Sequence, residues 1–292
     1  MKYAIIGSKG YIGKHLEFYL RDKGHDVACY DVIPSDEPSY TQVDLTDKTS
    51  VEMISLDVDY IYMFAGLTGT YAGFDRYDSY VDINEKGLLN LLDAIRHSDY
   101  RPRIVYPSTR LVYKGQEKPL KEDDEKETKT IYAVNKIAAE GLLYAYANSF
   151  DIPFTIFRIC VPFGNMLSND YSFGTVGFFI RQARDKGEIT LYGDGSIRRT
   201  FTSMQDLCYQ IYEASLKAES MNQVLNIGGH TYSLKEAAEV IAAHYGANVS
   251  TIPFPEKDHK IESGSTFFDD SKIRSLLGDV KYMSLEELGI KI

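Results

Sequence analysis

Residues 5–16 read IIGSKGYIGKHL, and their order decides the fold. A short apolar run, rich in β-formers, stops at Gly7; Gly10 and Gly13 follow at intervals of three, and an amphipathic stretch, HLEFYLRDKG, continues from them. That is a strand, a tight turn and the opening of a helix. Glycines at such a junction let the backbone turn sharply, approach a pyrophosphate closely and pack helix on strand, while the helix N-terminus favours an anion. The next β-rich run, DVACYD, ends in Asp31, about 20 residues further on, where a carboxylate accepts hydrogen bonds from a ribose 2'-hydroxyl. A 2'-phosphate would be repelled there and no arginine follows at once. The stretch therefore predicts a dinucleotide site that prefers NAD to NADP.

Working outward, the same alternation repeats: VDYIYMFAG before INEKGLLNLLDAIRH, RIVYPST before a helix containing Tyr132, and then FTIFRI. Strands alternating with helical patterns imply βαβ units and a parallel sheet, so the expected fold class is α/β, a Rossmann-type doubly wound sheet. The last part, with runs such as ITLYGDG, TFTSMQDL and VLNIGG, reads as a smaller mixed α/β part. A soft boundary falls near residue 165: residues 1–165 form the NAD-binding domain, and residues 166–292 are mainly substrate-binding, with segments near 200–230 returning to the first domain.

Composition narrows the functional classes. The 292 residues are 44% hydrophobic and 25% charged, with a formal net charge of -10, whereas a nucleic-acid footprint needs a basic patch. No run approaches the roughly 20 apolar residues of a membrane span, and the apolar start is too short for a signal peptide. The expectations are a cytosolic protein, no nucleic acid and no membrane. Cys29, Cys160 and Cys208 lack the spacing of a disulfide framework or a zinc site; they read as buried thiols, and no metal is expected.

Residues 130–140, TIYAVNKIAAE, place Tyr132 and Lys136 one helical turn apart on one face. Alone, the pair reads as a packed ring beneath a solvated charge. Together with the GxxGxxG spacing, the DLTD segment, Asn84 in VDINEKGLLNLL, the run YPSTRLVYKG, RICVPFG, YGDGSIRRTF and NIGG, it resembles the extended short-chain dehydrogenase/reductases, most closely their nucleotide-sugar epimerase/dehydratase group. The likeness covers nearly the whole chain in order. It implies that Thr109, Tyr132 and Lys136 are catalytic, Tyr132 as acid and base and Lys136 as its tuner and ribose anchor, since an adjacent positive charge lowers a phenol by about 1 to 3 pKa units. The resemblance places NAD on Gly7, Gly10, Tyr11, Ile12, Gly13, Asp31, Asp44, Leu45, Ala65, Gly66 and Asn84, besides Tyr132 and Lys136. It puts a nucleotide-diphosphate sugar on Ser108, Thr109 and Arg199, whose planar fork suits phosphate oxygens. Asp206 matches a structural acid and Arg198 reads as solvated. Family relatives pair two long helices across a two-fold axis, and the apolar surplus on NEKGLLNLLDAIRH and YAVNKIAAEGLLYAYANSF predicts a homodimer.

The departures from the family pattern are informative. Arg110 follows Thr109 where dehydratases and decarboxylases carry an acid, and arginine cannot exchange a proton near neutral pH. Val161 replaces a phosphate-binding asparagine, Ile197 and Thr200 depart from the commoner residues, and the loop KDHKIESG offers only His259 or Lys260 in place of a second arginine. Three readings follow: an NAD-dependent nucleotide-sugar epimerase acting at carbon 4 through a transient keto sugar; an NAD(P)H-dependent reductase of a nucleotide-linked 4-keto-deoxysugar; and a non-catalytic dinucleotide-binding protein.

Overall fold

A computed structural model describes residues 1–168 and 173–288. Seven strands form the principal sheet: β1 (Lys2–Ile6), β2 (Asp26–Asp31), β3 (Tyr40–Gln42), β4 (Tyr60–Met63), β5 (Arg103–Thr109), β6 (Phe154–Ile159) and, from much later in the chain, Gln223–Asn226. Their spatial order is Gln223–Asn226, β6, β5, β4, β1, β2, β3. β1 runs parallel to both β2 and β4, β2 to β3, and β4 to β5. The order reverses between β1 and β4, so the loops leaving their carboxyl ends diverge to opposite faces and open a crevice, the place where open α/β sheets bind ligands. β1 is buried from Tyr3 to Ile6, as a strand covered on both faces must be. The core joins its Ala4 and Ile6 to Ile61, Leu88, Leu91, Ile104 and Ile156, so the helix Gly87–Arg96 lies against the sheet.

The chain divides into two compact units. The first comprises residues 1–112, 130–157 and 215–224; the second comprises 113–129, 158–214 and 225–292. The expected soft boundary near 165, with segments near 200–230 returning, differs from this division in its bounds. The sheet unit ends at residue 157, takes back only 215–224 from the region near 200–230, and yields 113–129 to the second unit. That last excursion has a physical cause in hydrogen bonding. Leu120 donates its backbone N–H to the Phe267 carbonyl at 2.8 Å, and Asn226 Nδ2 donates to the Leu120 carbonyl at 2.8 Å. In a polar stretch without periodicity, nothing in the sequence announces those partners.

The second unit carries the mixed structure expected of it. β7 (Val161–Phe163) runs parallel to β9 (Arg198–Ser203), which pairs antiparallel with the strand His230–Ser233. β8 (Glu188–Tyr192) runs parallel to Asn248–Ile252. Cys29 and Cys208 are buried as expected, but Cys160 is only half-buried, its thiol donating to the Thr266 carbonyl at 3.2 Å.

Candidate active site

The glycine turn follows β1. Gly7 sits at φ +90°, and a Cβ there would lie 2.4 Å from the Ala65 amide nitrogen; a Cβ on Gly13 would lie 2.1 Å from the Gly7 carbonyl oxygen. Neither position admits a side chain, the first for backbone conformation and crowding, the second because the helix start packs directly on the backbone of the Gly7–Ser8 turn. Gly10 is different, since a Cβ there comes only to 3.2 Å of Gly7 O. It caps the helix Tyr11–Asp22 with bare backbone and faces a cleft of about 360 Å³.

That cleft is bounded by Gly7 and Gly10, by Asp31, by Asp44 and Leu45, and by Ala65 and Gly66, which are residues that the sequence assigned to the cofactor. Asp31 closes β2 and accepts the Lys9 N–H at 2.9 Å and the Ile33 N–H at 3.1 Å, one on each carboxylate oxygen. Each oxygen keeps a second lone pair, which is what a ribose hydroxyl needs. The cleft also includes Lys9, Val32, Ile33 and Thr46, which the sequence reading missed. Two β-branched residues left exposed directly after a strand-ending acid, Val32 at 57% and Ile33 at 54%, are the signal that would have found the apolar wall. Tyr11, Ile12 and Gly13 lie behind the turn at the helix start.

Asn84 holds the cleft together from beneath. It lies in a π-helical turn, Asp82–Lys86. Its Oδ1 accepts the Leu67 N–H at 2.8 Å while its Nδ2 donates to the Leu67 carbonyl at 3.0 Å. A Cβ on Gly66 would sit 2.9 Å from that Oδ1. The structure thus places Asn84 as the clamp on the loop after β4, and its amide faces Leu67.

The proposed catalytic residues gather in the first unit. The helix Ile131–Phe150 starts at Thr130, whose hydroxyl accepts the Ala133 N–H at 3.1 Å, so Tyr132 and Lys136 occupy its first two turns. β5 is the neighbour of β4, and its last residue, Thr109, hydrogen-bonds the Tyr132 phenol. Both are buried, as is Lys136. The Lys136 ammonium donates to the Pro107 carbonyl at 2.7 Å and to the Tyr106 hydroxyl at 3.1 Å, and lies 5.7 Å from the Tyr132 ring centre. Lys136 is thus not the solvated charge that the pair taken alone would suggest, and the expected lowering of the phenol by Lys136 is absent. Burial pushes Tyr132 up and the Thr109 hydrogen bond only partly opposes it. Burial pulls Lys136 down to about 7, with the Glu140 carboxylate opposing. Ser108 is buried beside them, and its hydroxyl donates to Glu140 Oε1 at 2.5 Å. Arg110 opens a short 3₁₀ turn after β5, so no acid follows Thr109.

Arg199 belongs to the second unit and is 2% exposed. Its Nη2 pairs with Glu262 Oε1 at 2.6 Å, and its Nη1 donates to the Gly264 and Arg198 carbonyls at 2.5 and 2.9 Å. The guanidinium expected on a diphosphate thus carries a carboxylate partner inside its own unit. Arg198 is exposed, its guanidinium carbon 5.2 Å from the Phe267 ring centre. Asp206 accepts from the Ser203 hydroxyl at 2.7 Å and the Met283 N–H at 2.8 Å, a structural acid in fact. Lys260 is exposed and pairs with Glu256 at 2.7 Å. Among the described residues no helix is long and apolar enough to cross a membrane, and no cluster of His, Cys, Asp or Glu is gathered for a metal.

Comparison with known proteins shows the family. Residues 3–228 match the NAD dependent epimerase/dehydratase family, and the chain belongs to that family. It is 27% identical to the UDP-glucuronate 4-epimerase of Thermodesulfobacterium geofontis, covering 99% of this chain and 94% of the relative. It is 26% identical to the uncharacterised UDP-glucose epimerase YtcB of Bacillus subtilis, covering 95% and 92%. In fold it resembles the UDP-glucuronic acid 4-epimerase of Bacillus cereus, solved with UDP-glucuronic acid and NAD, at a TM-score of 0.85 and 22% identity over 99% of this chain and 97% of that one.

Proposed function

We propose that this member of the family is an NAD-dependent epimerase that inverts carbon 4 of the sugar in a nucleotide-diphosphate sugar. The observation that carries the reading is the buried Thr109–Tyr132 hydrogen bond at the end of β5, with Lys136 one turn along the same helix and an arginine rather than an acid at position 110. The 4-epimerases among the relatives support the position of attack.

The cleft fits the cofactor: Gly7 and Gly13 leave no room for a side chain, Gly10 offers bare backbone at a helix N-terminus, and Asp31 offers lone pairs at the strand end. Asp44, Leu45, Ala65 and Gly66 complete its walls. NAD bound there would supply a reversible hydride acceptor, and none of it would be consumed. Tyr132 takes the proton of the sugar hydroxyl and gives it back, and Thr109 orients both oxygens through its hydroxyl. For this Tyr132 must ionise against its burial, which Thr109 only partly opposes. Arg110 cannot serve as the additional acid or base of an elimination.

The protein acts as a homodimer in this reading. Val134 and Tyr144, on the outward side of the Ile131–Phe150 helix, are 43% and 41% exposed, and Val81 is 43% exposed, which is apolar surface suited to a second copy. The test of function is incubation of the purified protein with a panel of nucleotide sugars, following isomer composition and NADH absorbance. Isomer formation with no net change in cofactor is expected. Net oxidation of added NADH would make the chain a reductase, and silence on every sugar would leave it a binding protein.

A further inference from the structure

Three consecutive residues at the end of β5 are each held by residues spaced one turn apart on a single helix. Thr109 meets Tyr132, Pro107 accepts from Lys136, and Ser108 donates to Glu140. Tyr132, Lys136 and Glu140 stand at i, i+4 and i+8 and therefore share one helix face. Glu140 is 8% exposed, although a glutamate on a helix is ordinarily solvated. A carboxylate enters such a place only with partners that compensate its desolvation. We propose that Glu140 is a positioning residue of the active site: its carboxylate supplies the buried counter-charge for the Lys136 ammonium and, through Ser108, fixes the strand end that presents Thr109. This rests on the catalytic reading above for its consequence, but not for its physical content.

The charged or titratable groups around the ammonium can be named. Tyr106 comes from β5 and Tyr132 and Glu140 from the helix itself; one step further out, Tyr80 acts on Tyr132, and Glu85, which accepts from Asn135, acts on Tyr106. Of these, Glu140 is the one that acts on Lys136 to favour its charged form, against the burial that opposes it. Removing that carboxylate removes the opposition.

The variant that isolates charge from shape is Glu140→Gln, which keeps an oxygen to accept from Ser108. Lysines labelled with ¹³C at Cε are titrated by NMR, and the Lys136 signal is assigned by its loss in Lys136→Met. The Lys136 midpoint should fall by about one pH unit or more in Glu140→Gln, the scale expected for deleting a close opposite charge. An unchanged or higher midpoint in the folded variant overturns the proposal. Should Glu140→Gln fail to fold, Ser108→Ala serves in its place. It leaves the carboxylate without that hydrogen bond, so the midpoint should stay or rise, and a fall overturns the proposal. If the chain is an epimerase, turnover of Glu140→Gln should also decline at a lower pH than the parent, whereas a purely structural defect lowers the whole profile evenly. The NMR midpoint needs no substrate, so failure of the epimerase reading is distinguishable from failure of this one.

Discussion

Replacing Lys136 with methionine should stabilise the fold at neutral pH while it disables the site, and the gain should shrink as pH rises. The ammonium is 4% exposed and burial holds it down to about 7, against about 10.4 in an unfolded chain. A group whose folded pKa is depressed in this way binds its proton more readily when unfolded, so between these two values the parent gains stability with rising pH. Integrated with 1.36 kcal/mol per pKa unit, the penalty of the buried amine is roughly 4 kcal/mol at pH 7 and about 2 kcal/mol at pH 9. Methionine escapes this but leaves the Pro107 carbonyl without its donor and the Tyr106 hydroxyl with one partner fewer, at about 1 to 3 kcal/mol for an unsatisfied buried group. The orphaned groups do not titrate between pH 7 and 9, so the change with pH is the cleaner quantity. Urea denaturation of the two proteins side by side should show the methionine variant's advantage falling by roughly 2 kcal/mol from pH 7 to pH 9. A difference that is constant across that interval would refute the depressed lysine.

Tyr132→Phe keeps the ring and deletes one oxygen, so NAD affinity and melting temperature should hold while turnover drops by roughly 10² to 10⁴, the range for losing a positioned proton-transfer group; near-normal turnover of the folded variant on its true substrate would defeat the mechanism. Asp31→Ala should narrow the preference for NAD(H) over NADP(H), measured by fluorescence titration, and an equal or reversed preference in the parent would count against the assignment. Gly13→Ala puts a methyl group 2.1 Å from the Gly7 carbonyl oxygen, and should cost about 1 to 3 kcal/mol or more of stability together with cofactor binding; wild-type melting would contradict it. Light scattering at micromolar concentration should return twice the chain's 33.1 kDa, and a monomeric mass would sink the dimer.

What could be read from residues alone was what local patterns encode. The alternation of strands and helices, the glycine turn, Asp31 at a strand end and the Tyr132–Lys136 spacing are all short-range signals, carried by periodicity and by glycines with no room for a side chain. What escaped was set by contacts distant in sequence. Asn84 is 17 residues from the loop it clamps, and Glu140 is 32 from the Ser108 hydroxyl it accepts. Neither partner can be inferred from its own neighbourhood. The partners of Lys136 were hidden for the same reason, since Tyr106 and Pro107 on β5 lie 30 and 29 residues away. Arg199 shows the same limit, since its pairing with Glu262 spans 63 residues.

The interleaving of the two units bears on how the chain is made. The principal sheet keeps β6 between β5 and the strand Gln223–Asn226. The approach to that last strand is stapled by Asn222, which donates its N–H to the Phe154 carbonyl at 2.7 Å and accepts the Phe154 N–H on its side chain at 3.1 Å. Arg103 adds hydrogen bonds to the Ser215 and Lys217 carbonyls. A ribosome therefore releases six of the seven strands long before the seventh exists, and at about 5 to 20 residues per second the flank of β6 stands bare for several seconds of synthesis. An unpaired edge rich in apolar residues, as Phe154, Ile156, Phe157 and Ile159 make this one, is the template on which neighbouring nascent chains join. Expression of the dinucleotide-binding half by itself, cut after residue 165, would make that transient exposure permanent and yield inclusion bodies. Grafting residues 215–226 back onto its end would restore the missing margin.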